Sequence, residues 1–204
     1  RDLVRSRGLG DVYKRQMTLA LEVLNSASRK TAIAMVTPLV ELSEWVGEAT
    51  IDARPFASDA ALAGALVETI LKAGTERRVA MFKVHPELAG REALTGSMTV
   101  ASQSEQGRLG LLNLAADDLA RLSRLNAAYR ARFGYPFIIA LHRIDDLQSL
   151  FETFEQRLGA TAVEEHITTL AEIASVICAR AAKAFGPDAM FPEIPTLSST
   201  EPLE

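Results

Sequence analysis

The chain reads as an all-α protein, a single-domain bundle of about eight helices. Three observations predict this class. Apolar residues recur at three- and four-residue intervals through most of the chain, with Ser, Thr or Asp before the periodic runs and Gly or Pro after them. Hydrophobic residues make up 48% of the 204 residues and aromatics only 6%, an Ala- and Leu-rich mixture that favours close-packed helices over sheet. The one short run that could be a strand, Tyr135 to Leu141, has no partner strand elsewhere and is expected to be a buried extended or irregular segment.

The first sixteen residues are basic and lack both a sustained apolar period and the apolar core of a signal peptide. They are expected to be a non-native or disordered leader, with Met17 as the natural start, an all-helical domain over 17–187 and a loose tail over 188–204. Leu19, Val23, Ile33, Val36 and Val40 fall at helical spacings, and Pro38 marks a kink or boundary. Ser43 can cap a short helix carrying Trp45 and Val46, with the Trp a core or subunit-contact residue. Ser58 caps a helix with Leu62, Leu66 and Ile70 on one face, ending at Gly74.

Thr75 starts the next helix, which Pro86 forces to stop at or before Val84, because the residue ahead of a proline is pushed out of the α region. Pro86 itself suits the first turn of a further helix, and His85 then sits between the two. Thr95–Ala101 reads as a loop. Ser102 opens a helix with a Ser102-x-x-Glu105 capping-box pattern. Asp117 or Asp118 starts a longer helix carrying Leu119, Leu122, Leu125, Tyr129 and Phe133, closed by Gly134. Asp145 caps an amphipathic helix that ends at Gly159. Thr161 begins the last long helix, closed by Gly186-Pro187, with Leu170, Ile173 and Ile177 on its apolar face. Arg180 continues that face, which is unusual because burying an unpaired cation is costly.

Several function classes are disfavoured. A net charge of -4 and a pI near 5.5 argue against a nucleic-acid partner, and no apolar run reaches membrane-spanning length. The single Cys178 provides neither an internal disulfide nor a thiolate cluster, which fits a cytoplasmic setting. The final residues, Glu201-Pro202-Leu203-Glu204, are no peroxisomal address. There is no phosphate loop, nucleophile elbow or His-x-x-x-His metal pair.

His142 and His166 stand apart from acidic or thiol clusters, and the Asp117–Asp118 and Asp145–Asp146 pairs look like helix-start acids. What can carry chemistry is His85, Ser102, Glu105, Gln106 and Arg180, with Phe137–Ile139 as apolar lining. Histidine is the side chain whose ordinary pKa lies nearest neutrality, so a fixed His beside a fixed carboxylate can move protons. The same residues also admit a purely structural reading, as a helix-end histidine, a capping box and an arginine paired to a neighbour.

Several blocks resemble the OHCU decarboxylases, OHCU being 2-oxo-4-hydroxy-4-carboxy-5-ureidoimidazoline, an intermediate of urate breakdown. They are Glu41-x-Ser43-x-Trp45, His85-Pro86-Glu87-Leu88-Ala89-Gly90, Ser102-x-x-Glu105-Gln106, Leu125-Asn126-x-x-Tyr129-x-x-x-Phe133-Gly134-Tyr135-Pro136-Phe137-Ile138 and Glu172-Ile173. They occur in family order. The resemblance implies an all-helical, cofactor-free carboxy-lyase that forms (S)-allantoin and works as a homodimer. It further implies that His85 and Glu105 are catalytic, and that Pro86, Ser102, Gln106, Phe137, Ile139 and Arg180 bind substrate. The chain departs from the family pattern at Leu109-Gly110, where Ala-Gly is usual. A related lyase for another ureide or imidazoline acid, or a non-catalytic helical ligand-binding dimer, are the alternative readings.

Overall fold

The computed structural model describes residues 20–90 and 98–186; the expected leader (1–16) and tail (188–204) lie outside them, as does Leu19. Among the described residues there are nine α-helices and no strand. They are α1 (20–26), α2 (Arg29–Val36), α3 (Glu44–Thr50), α4 (Asp59–Lys72), α5 (Thr75–Lys83), α6 (Val100–Arg108), α7 (Ala116–Phe133), α8 (Leu147–Leu158) and α9 (Ala162–Phe185). Short 3-10 turns link several of them, including Thr37–Val40 and Leu141–Arg143.

Local chemistry sets most boundaries. The Ser58 side chain accepts from the Ala61 N–H to start α4, and Thr161 with Glu164 forms a reciprocal capping box at the start of α9. α7 ends on Gly134 at φ 79°, a left-handed conformation that a side chain disfavours. α5 stops at Lys83, inside the limit that Pro86 imposes.

Other boundaries correct the sequence reading. The cap of α8 is Asp146 rather than Asp145; its carboxylate accepts from Ser149 N–H. Ser43 occupies the cap position of α3 without a capping hydrogen bond, its side chain being buried instead. In α1 the core-facing residues are Ala20 and Leu24, whereas Val23 is exposed; the true stripe is one residue out of register with the expected one. Pro86 does not begin a helix: residues 86–90 form a turn that places Ala89 at φ 48°. α6 begins two residues before Ser102. Thr99 is its cap and accepts from the Ser102 N–H, so Ser102 lies inside the first turn and Ser102-x-x-Glu105 is no capping box.

α9 is the central element, packing along α4 and against the Thr37–Val40 turn, while α7 pairs with α8. Leu62, Leu66 and Ile70 of α4 and Ile173, Ile177 and Ala181 of α9 are buried. Between α7, α8 and α9 lies an aromatic layer. Phe137 stacks on Phe154 with centroids 3.8 Å apart, and Tyr129 meets Phe137 edge-on at 5.2 Å. This layer anchors residues 135–140, which are buried and form neither helix nor strand, as expected of a buried extended or irregular segment.

An extended segment in a helical core must find partners for its peptide groups outside any ladder. Arg157 donates to the Ile138 carbonyl at 2.8 Å, Glu172 accepts from the Ala140 N–H at 2.8 Å, and Arg108 donates to the Leu141 and Ile144 carbonyls. Three side chains thus replace a missing neighbouring strand.

Candidate active site

Six pieces of turn, irregular backbone or helix face converge on one cavity. It is lined by the Leu39–Glu41 turn, Met81, the His85–Leu88 turn, one face of α6, the Phe137–Leu141 segment and the inner face of α9. All eight residues singled out from the sequence line it: His85, Pro86, Ser102, Glu105, Gln106, Phe137, Ile139 and Arg180. The arginine on the apolar stripe of α9 and the His-Pro break after α5 therefore face the same space.

His85 is fixed by its own helix. Its Nδ1 lies 2.9 Å from the Met81 carbonyl oxygen, one turn back, which makes Nδ1 the protonated nitrogen and leaves Nε2 as the acceptor. Burial in the cavity wall pushes its pKa below the usual histidine value, against the Met81 hydrogen bond and the nearby Glu41 and Glu105 charges that favour the imidazolium. His85 is therefore neutral at pH 7, with a free acceptor nitrogen.

Arg180 is the electrostatic hub. Its Nε and Nη2 each lie 2.8 Å from a Glu105 oxygen, a two-pronged pair, and its Nη1 donates to Glu41 at 2.8 Å and to the Pro38 carbonyl at 3.2 Å. Nη2 also reaches Ser102 Oγ at 3.3 Å. Burial costs this cation, but the pairing with Glu105 and then Glu41 outweighs it and keeps the guanidinium charged. Of the expected readings, an arginine paired to a neighbour and an arginine in a pocket both hold.

Gln106 faces the cavity but is buried. Its amide oxygen accepts from the Ala89 N–H at 2.9 Å and its Nε2 lies 3.2 Å from Met98 Sδ, so it fastens the turn that carries His85. Asn126 assists by donating to the Leu88 carbonyl at 2.9 Å. Phe137, Ile138, Ile139 and Ile173 supply an apolar wall opposite the charged residues.

Sequence reasoning did not assign a site role to Glu41, the second carboxylate on Arg180, or to Thr99, which donates to it at 2.9 Å. The signal for Glu41 was its place in the Glu41-x-Ser43-x-Trp45 block. Nothing in the spacing pointed to Thr99. The buried Arg157–Glu165 pair beneath the apolar wall gave no pattern signal either, since Arg157 reads as the polar edge of α8.

Comparison with known proteins shows the family. The family profile described as OHCU decarboxylase matches residues 25–182. The 2-oxo-4-hydroxy-4-carboxy-5-ureidoimidazoline decarboxylase of Amia calva is 32% identical over 153 residues, covering 75% of this chain and 87% of the relative. The mouse protein of that name is 34% identical over 141 residues, 68% of this chain and 77% of the relative. Among solved structures, an OHCU decarboxylase crystallised in the presence of (S)-allantoin superposes with a TM-score of 0.59 at 16% identity, over 73% of this chain and 96% of the other. A crystal structure of (S)-allantoin synthase gives a TM-score of 0.60 at 20% identity, over 79% of this chain and 52% of the other. At such identities these two show a shared fold.

Proposed function

The chain belongs to the OHCU decarboxylase family, and from that premise we propose that it converts OHCU to (S)-allantoin and CO2 in urate breakdown. The observation that carries the proposal is the convergence of His85, held at Nδ1 by the Met81 carbonyl, the carboxylate-paired Arg180 and an apolar wall on one cavity.

The substrate's own structure provides the electron sink. C4 carries the hydroxyl and the carboxylate, and the adjacent C5, in a C=N bond to N1, carries the ureido group. Breaking the bond to the carboxyl carbon releases CO2. The electron pair becomes a C4=C5 double bond and N1 takes a proton. The enol so formed loses its hydroxyl proton as C4 becomes a carbonyl, and C5 gains a proton, giving allantoin. One proton is consumed overall. The protein must orient the carboxylate, keep water out and control two proton positions.

Each residue suits one of these tasks. His85 Nε2, the acceptor, takes the hydroxyl proton as the carbonyl forms. Arg180 places positive charge beside the oxygen on which negative charge resides. Glu105, whose side chain is 31% exposed, is the carboxylate able to reach the ureido N–H groups. Ser102 and Gln106 border the polar side, and Pro86 shapes the turn that aims His85. Phe137 and Ile139 form a dry face that keeps water from the reacting ring carbons. Protonation of C5 from one face only gives one enantiomer.

The test uses OHCU generated in situ from urate by the two preceding enzymatic steps. Addition of the protein should accelerate the circular dichroism signal of (S)-allantoin above the slow racemic background; an unchanged racemic course contradicts the proposal.

We infer further that the protein works as a cytoplasmic homodimer. No helix among the described residues is long and apolar enough to cross a membrane. Val163 and Ile167, one turn apart on α9, are 70% and 61% exposed, an apolar patch suited to a second copy. Light scattering that returns a monomer mass at micromolar concentration contradicts the dimer.

A further inference from the structure

Arg180 has five N–H donors, and all are engaged within the protein: Nε and one Nη2 donor by Glu105, the other Nη2 donor by Ser102, and the two Nη1 donors by Pro38 and Glu41. An anionic ligand can reach this guanidinium only by replacing one of these partners. The two carboxylates differ sharply in how firmly they are held.

Glu41 is 3% exposed, and both its oxygens are occupied: Oε1 accepts from Thr99 Oγ1 at 2.9 Å, and Oε2 from Ser102 Oγ at 2.9 Å and Arg180 Nη1 at 2.8 Å. Its backbone stands at φ 51°, ψ -140°, a conformation that side-chain-bearing residues seldom adopt and that persists where surrounding contacts enforce it. Burial alone would raise its pKa, but the Arg180 charge, with hydrogen bonds from Arg180 and Thr99, outweighs this and holds the carboxyl below the usual range. Glu105, by contrast, is tied among the described residues to Arg180 alone and is 31% exposed on α6.

We propose that Glu41 is a positioning residue, the permanent counter-ion of Arg180, and that Glu105 is the exchangeable one, leaving the Nε–Nη2 fork when a substrate carboxylate takes its place. The exchange is one carboxylate for another, so the fork's geometry and charge balance are preserved while Glu41, Ser102 and Pro38 hold the guanidinium in plane. Glu105 is thereby released toward the solvent-facing side of the cavity, where it can accept from substrate N–H groups. This rests on the function proposed above for the identity of the anion, but the exchange itself is a binding event.

The two carboxylates then have opposite effects on anion affinity. Glu105→Gln weakens the group that must be displaced, and Glu41→Gln makes Glu105 the only counter-ion, harder to displace, while loosening Arg180. The probe is imidazole-4-carboxylate, followed by calorimetry on the full chain. Glu105→Gln should bind it about tenfold tighter than the unaltered protein and Glu41→Gln about tenfold weaker, the scale of one charge-assisted hydrogen bond. Glu41→Asp, which keeps the charge, should recover part of the lost affinity, and it replaces Glu41→Gln in the comparison if the latter does not fold.

In the decarboxylation assay KM should rise for Glu41→Gln; the Glu105→Gln gain is read with the probe alone, which has no ureido group for Glu105 to bind. Shifts of the same sign in the two variants, an unchanged affinity in Glu41→Gln, or no probe binding to the unaltered protein overturn the proposal. A protein that shows the binding pattern but makes no (S)-allantoin refutes the proposed reaction and leaves the exchange standing.

Discussion

Two arginines are buried in this molecule to the same depth, and they serve different ends. Arg157 and Arg180 are each 8% exposed, and each is ion-paired and donates to a backbone carbonyl. Arg157 faces one carboxylate, Glu165, which is fully buried and also receives the Tyr129 hydroxyl and Thr169. Its guanidinium lies 4.4 Å over the ring of Phe137, which itself lines the cavity, whereas Arg157, Glu165, Tyr129 and Thr169 are not among the lining residues. Arg180 instead faces two carboxylates and borders the cavity beside a histidine. A one-to-one ion pair sealed by aromatic rings is scaffold. A guanidinium with an extra carboxylate, open on one side, is set up for exchange.

The largest expected effect falls on the scaffold pair. Arg157→Met leaves Glu165 buried without a counter-ion, and should lower the unfolding free energy by about 3–5 kcal/mol in chemical denaturation. Adding Glu165→Leu should recover part of that loss, because an apolar replacement of a whole buried pair is far cheaper than breaking it. Activity per folded molecule should survive in the double variant. Equal destabilisation by the single and double variants would mean the pair is not the source of the effect.

Arg180→Lys is the matching change in the cavity. It keeps the charge and loses the planar fork, so kcat/KM should fall by about 10- to 100-fold while the thermal midpoint moves less than in Arg157→Met. A lysine variant with unimpaired kcat/KM would mean that the fork is not used.

The pH response separates the regions again. His85 has a folded pKa below its unfolded value, so it binds fewer protons folded than unfolded between the two. Its contribution to stability is complete above the ordinary histidine pKa and is lost as pH falls toward the lowered folded value. Activity, which needs neutral Nε2, should fall on the acid side of that lowered pKa. His85→Gln should flatten the stability profile across this window; an unchanged slope contradicts the assignment.

The smallest expected effect concerns helix caps. Ser58→Ala at α4 should cost about 1 kcal/mol and leave kcat/KM unchanged. Thr99→Ala at α6 removes a similar cap but also the hydroxyl on Glu41, so it should impair kcat/KM as well.

Helical periodicity was enough to read the fold class, because α4, α8 and α9 bury regular stripes and carry Ser, Asp or Thr caps. Boundaries set by long-range partners were harder. Ser102 looks like a cap in the sequence, yet its hydroxyl is committed to Glu41, 61 positions away, while Thr99 does the capping. The eight expected site residues meet in one cavity because each carried either an odd local signal, such as His before Pro or Arg on an apolar stripe, or a place in a family block. Glu41 is a lone acid beside a 3-10 turn, and only folding reveals that it shares Arg180 with Glu105. Arg157 and Glu165 sit on ordinary-looking helical positions, and their burial depends on the extended segment they support.

The most direct test of the account is the rate of (S)-allantoin formation by His85→Ala, followed by circular dichroism with OHCU generated in situ. The account predicts that the acceleration disappears while far-ultraviolet helical content is unchanged. A variant that still forms the S enantiomer at the unaltered protein's rate would contradict it.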